Sequence, residues 1–127
     1  MADEKLSTIG QVALNVRDLE RAVAFYRDVL GMRFLFQAPP QMAFFDCGGI
    51  RLLLGVPETA DAPLSSSIIY FKVVDLQAQH QAYVKKGVKF VESPRLIAPM
   101  PTHDLWMAFF HDSEGNTLAL MSEVAKS

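Results

Sequence analysis

Apolar residues at Val12, Leu14 and Val16 alternate with Gln11, Ala13 and Asn15, the period of a strand that buries one face. Asp18 stands where a helix begins, its carboxylate suited to accept from the free amides of the first turn. Leu19, Ala22, Val23, Tyr26, Val29 and Leu30 then recur at helical spacing, and Gly31 supplies the left-handed stop. The pattern afterwards returns to strands. One begins at Phe34 to Phe36 and is broken by Ala38-Pro39-Pro40, a second covers 42–46, and Cys47-Gly48-Gly49 turns the chain into a third over 51–56. The unit so described is β-α-β-β-β.

Its sequence recurs. Val16, Asp18, Leu19 and Tyr26 return 57 positions later as Val73, Asp75, Leu76 and Tyr83. Gly31 and Phe34 are matched by Gly87 and Phe90, and Met42-Ala43-Phe44-Phe45 reappears intact as Met107-Ala108-Phe109-Phe110. Gly49, Leu52 and Leu54 then fall opposite Gly115, Leu118 and Leu120. Collinear matches of this kind mark a duplicated module. The second copy predicts a strand over 68–73, a helix from an Asp75 cap to a Gly87 stop, and strands near 88–91, 105–110 and 116–121. Its extra length is a proline-rich loop from Ser93 to Thr102, and loops that long often cover ligand sites. The expectation is an α+β fold in one domain over 1–127, with module one at about 8–57 and module two at about 66–124. The two modules form curled mixed sheets with helices on the convex face, leaving a concave face to close on a partner module, a ligand or both.

Composition narrows the function. A chain of 127 residues that is half hydrophobic can build a core and does not read as disordered. Its net charge of −2 offers no field for a polyphosphate, so no nucleic-acid partner is expected. Cys47 is the only cysteine, which excludes an intrachain disulfide and a cysteine-based zinc knuckle. The opening residues are polar and acidic, and no apolar run is long enough to span a bilayer. A cytoplasmic protein with no membrane partner is therefore expected. Gly48-Gly49 leads into a strand rather than a helix, so it makes no phosphate cradle, and no Gly-x-Ser-x-Gly elbow occurs.

The paired modules, the run Val16-Arg17-Asp18-Leu19-Glu20-Arg21-Ala22-Val23-Ala24-Phe25-Tyr26 and the segment Phe110-His111-Asp112-Ser113-Glu114-Gly115-Asn116 resemble the vicinal oxygen chelate superfamily. That group includes glyoxalase I, extradiol dioxygenases and the fosfomycin- and bleomycin-resistance proteins. The second segment is similar to the family's Asp-Pro-Asp-Gly-Asn turn, and the resemblance runs from about Thr8 to Glu123. It implies a divalent metal on the concave face, held by His, Glu or Gln from the first and fourth strands of each module, with positions open to substrate. The matching positions here are Gln11, Leu53, Ile68 and Ala119. One amide oxygen and three hydrocarbon groups cannot hold a divalent ion against its hydration shell, so neither a metal nor another cofactor is expected.

The same residues make the middle of the trough apolar with one amide beside it, the composition of a small-molecule site or of packed core. Tyr70 shares parity with Ile68, and Trp106 carries an indole N–H. Both are candidates to line a site for a planar ligand, with Met121 on the last strand. His103 in the proline-rich loop and Glu123, in parity with Ala119, are candidates at the rim, and each also reads as a solvated residue. The resulting expectation is a metal-independent binding protein for a small, partly apolar or aromatic molecule. Relatives lacking the metal imply sequestration of a drug or toxic metabolite. Two alternatives stand beside it. One is a glyoxalase-like lyase, isomerase or dioxygenase whose ligands have moved to Gln11, His103, His111 or Glu123; the other is a non-catalytic interaction module. No catalytic residue is assigned. A homodimer is expected, because relatives of this size usually pair and curled open sheets need cover.

Overall fold

The structure, a computed structural model, describes residues 5–59, 61–64 and 66–126. The first module runs β1 (Gln11–Asn15), α1 (Leu19–Ala24), β2 (Arg33–Ala38), β3 (Met42–Cys47) and β4 (Ile50–Gly55). The second runs β5 (Ile69–Lys72), α2 (Leu76–Lys85), β6 (Lys89–Phe90), β7 (Arg95–Pro99), β8 (His103–His111) and β9 (Thr117–Ala125). Asp18 and Asp75 cap the two helices as their sequence positions require, accepting from the amides of Arg21 and Ala78, each at 3.1 Å. The spacing to Leu30 reads as one α-helix, but α1 ends at Ala24 and the chain widens into a π-helical turn over Phe25–Val29. Gly31 and Gly87 end the two helical segments at φ 73° and 90°, conformations that residues with a Cβ rarely adopt.

The first sheet has strand order β1-β4-β3-β2, with β1 and β4 parallel and the other pairs antiparallel. In the second, β5 lies parallel to β9 and β9 antiparallel to β8, while β6 and β7 lie end to end along the far side of β8. The proline-rich segment therefore corrects the sequence reading: its middle is strand β7 rather than loop. Pro99 occupies the end of an edge strand, where a missing N–H breaks little of the ladder. Strands β8 and β9 are also longer than the sequence pattern indicates, which places His103 and Glu123 within strands.

Residues from both modules share one apolar core. Leu14, Val16, Tyr26, Phe45, Leu52 and Leu54 come from the first, and Tyr83, Phe110, Leu118 and Leu120 from the second. Register fixes which side chains turn away from it. Gln11 and Ala13 stand beside Arg51 and Leu53 on the open face of the first sheet. Tyr70 and Lys72 stand beside Ala119 and Met121 on the open face of the second. Among the described residues, no helix is long and apolar enough to cross a membrane.

Candidate functional site

The four positions matched to metal ligands are divided between the two open faces, on sheets that share no strand pairing among the described residues. Gln11 is exposed at the start of β1. Leu53 is half-buried beside Phe44, which stacks on Phe36 with ring centroids 4.8 Å apart. Ile68 is half-buried and immediately precedes β5. Ala119 is fully buried although it lies on the open face. Its cross-strand neighbours are Tyr70 and Phe109, whose rings meet edge to face with centroids 5.9 Å apart and roof it. These residues do not fit a divalent cation: only Gln11 presents an oxygen donor, and hydrocarbon closes the position of Ala119.

Further along the same face, the structure brings together two rim candidates that sequence reasoning treated separately. The His103 ring Nε2 lies 3.5 Å from the Glu123 carboxylate, which the Lys72 ammonium approaches to 3.7 Å on its other oxygen. Met121 stands between this polar group and the Tyr70–Phe109 pair, opposite Lys72 and Met107. His111 shares the face but stands at the other end of β8, about 26 Å from His103 at the rise of an extended strand, so one ion cannot take both. Trp106 is not part of this surface. It pairs with Ser122 and packs against the common core, on the helix-covered side.

The polar residues that the sequence reading missed lie at the junction of the modules, in the turn between β8 and β9. Asp112 accepts from the amides of Glu114 and Asn116, each at 2.8 Å, and from the Tyr26 hydroxyl at 2.7 Å. Burial, followed by the charge of Asp112, pushes the Tyr26 phenol well above its usual pKa. Glu114, whose side chain has no exposed surface, accepts from the amides of Arg17 and Asp18, both at 2.9 Å, and from Arg21 Nε at 2.7 Å. Burial alone would raise its pKa. The Arg21 guanidinium, the two amides and the Ser113 hydroxyl outweigh that and bring it down to about 2. Asn116 completes the junction by donating to the Asn15 carbonyl of β1 at 3.0 Å. The available signal was a turn with three acceptor side chains facing a duplicated copy with Asp46 alone beside Gly48-Gly49, together with a helical tyrosine in need of a partner.

Between the modules lies a hollow of about 250 Å³, bounded by the β3–β4 turn and by β5. The Cys47 thiol is half-buried on its wall, with its pKa raised by burial and by the neighbouring Asp46.

Comparison with known proteins agrees with this architecture. Residues 8–120 match the model of the Glyoxalase/Bleomycin resistance protein/Dioxygenase superfamily. A Glyoxylase-like domain-containing protein of Didymella fabae is 32% identical, over 93% of this chain and 95% of that protein. The crystal structure of lactoylglutathione lyase from Agrobacterium tumefaciens superposes with a TM-score of 0.75 at 26% identity, covering 94% of this chain and 96% of that one. A member of the same superfamily from Sphaerobacter thermophilus gives a TM-score of 0.74 at 22% identity, over 93% of this chain and 98% of that one. With its duplicated modules, mixed sheets and matched segments, the chain belongs to the Glyoxalase/Bleomycin resistance protein/Dioxygenase superfamily.

Proposed function

We propose that this protein binds a small, partly apolar or aromatic molecule on its open sheet face without a metal, in the manner of a sequestering protein. The observation that carries the reading is Ala119 roofed by Tyr70 and Phe109, at a position where the family resemblance implies a carboxylate ligand. Aromatic edges, Met121 and the His103–Glu123–Lys72 group then offer an apolar platform with a polar end, the usual make-up of a site that orients a small ligand. Phe36 and Tyr70 on the open faces are about half exposed, at 47% and 45%, and a second copy of the chain is the proposed cover.

A thermal-shift screen of single-ring aromatic compounds, run with and without EDTA, tests the reading. A compound that raises the midpoint equally in both conditions is expected, with the shift lost in Phe109→Leu. If no compound raises the midpoint, or if chelation abolishes every shift, the reading is wrong. Sedimentation velocity at micromolar concentration tests the dimer, for which a single species of twice the chain mass is expected.

A further inference from the structure

The hollow between the modules is walled by side chains of both parities. Register turns Val12, Leu52, Ile69 and Phe71 inward, on the side of the core residues Leu118 and Leu120, and the Cys47–Ile50 pair at the end of the hairpin shares that side. The same register turns Arg51, Tyr70 and Lys72 to the open faces, yet these three also border the hollow. A space lined from both sides lies in the plane of the sheets rather than on one face of them. It occupies the gap left because β1 and β5, each paired on one side only, do not pair with each other among the described residues. Its mouth opens beside Tyr70 and Lys72, which belong at once to the hollow and to the platform of Phe109, Met121 and Glu123. The two cations at the mouth are engaged on the open faces, Arg51 over the Phe44 ring at 5.7 Å and Lys72 toward Glu123 at 3.7 Å. Apart from the Cys47 thiol the inward side chains are hydrocarbon, and Phe71 divides the hollow from a smaller space of about 80 Å³ beside Tyr83 and Phe110.

We propose that this hollow receives an unbranched alkyl chain carried by the open-face ligand, which makes that ligand an alkyl-substituted aromatic compound with a polar group on its ring. This rests on the open-face reading and names the class of molecule bound there. The ring lies against Tyr70, its polar group meets His103, Glu123 and Lys72, and the chain passes between β1 and β5. The volume of about 250 Å³ exceeds the roughly 150 Å³ that accepts benzene, which gives room for a chain of about six carbons. A flexible chain can turn from the open face into the plane of the sheets, and a rigid second ring cannot. Each methylene withdrawn from water there strengthens binding about fourfold.

Titration calorimetry of the full chain with phenol, 4-ethylphenol, 4-butylphenol and 4-hexylphenol provides the test. Affinity is expected to rise about fourfold per methylene from ethyl to hexyl. Cys47, the only thiol in the chain, stands on the inward side and reports where the alkyl group goes. At ten times its Kd, 4-hexylphenol should slow alkylation of Cys47 by N-ethylmaleimide, followed by mass spectrometry, about tenfold, whereas phenol at ten times its Kd should leave the rate unchanged. Ile50→Trp, at a position 37% exposed, fills the hollow from the hairpin end and should abolish the gain with chain length while phenol binds as in wild type. The proposal is overturned if phenol and 4-hexylphenol bind equally, or if 4-hexylphenol binds more tightly but leaves Cys47 as reactive as in the free protein; in both cases the open-face reading stands. If none of the four compounds binds, that reading fails first and the alkyl site fails with it.

Discussion

The β8–β9 turn and the β3–β4 turn descend from one repeated segment and hold their modules in opposite ways. The first carries Asp112, Glu114 and Asn116, which reach back to Tyr26, to the start of α1 and to β1. The second carries Cys47-Gly48-Gly49-Ile50, where Asp46 accepts from the Gly49 amide within the turn itself at 3.2 Å, and it borders a hollow. Tyr83, the repeat partner of Tyr26, finds its acceptor in the Leu30 carbonyl at 3.0 Å rather than in a turn carboxylate. One junction is tied by charge-assisted hydrogen bonds from its turn, and the other rests on apolar packing around a hollow.

The largest effect expected from breaking this asymmetry is at Asp112. Asp112→Ala strips the acceptor from the buried Tyr26 hydroxyl and from two turn amides, and urea denaturation should show a loss of about 3 kcal/mol. Glu114→Gln should cost less, about 1–2 kcal/mol, because Arg21 is half exposed and screened while the two backbone amides still find an acceptor. The same carboxylate sets an acid limit. Its folded pKa of about 2 lies below the ordinary 4.5, so its stabilisation is present above pH 4.5 and is lost as the pH falls toward 2. Denaturation across that window should show wild type converging on Glu114→Gln, and a constant gap between the two would remove Glu114 from the junction.

The open faces sharpen the same contrast. Leu53 and Ala119 are repeat partners on the last strands of the two modules, yet Leu53 is half-buried and Ala119 has no exposed surface. Ala119→Trp must displace Tyr70 and Phe109 and should lower stability by about 1 kcal/mol in thermal or urea unfolding. The smallest effect belongs to Lys72→Gln, whose ion pair with Glu123 is solvated; its change in stability should stay below about 0.5 kcal/mol.

Much of the frame was legible because it rests on local periodicity. Alternation at Val12–Val16, the caps Asp18 and Asp75, and the stops Gly31 and Gly87 each act within a few residues of themselves. Strand β7 was hidden because prolines at 94, 99 and 101 read as loop, although an edge strand needs its amides on one side only. The exclusion of Trp106 from the open face followed from pairing register with Ser122, which a single strand does not reveal. His103 and Glu123 meet only because β8 and β9 extend further than their apolar cores. The junction acceptors were visible as turn residues, but partners 86 to 101 positions away leave no local trace.

That separation has a consequence for the order in which the chain can fold. The amides of Arg17 and Asp18 and the Tyr26 hydroxyl depend on acceptors from the second module. During synthesis, module one precedes residues 112–116, so these particular contacts form only after the second module's turn is made, whereas the Asp18 cap is available at once. The first half thus completes its hydrogen bonds only with the second, and its closure is an act of the paired modules rather than of either alone.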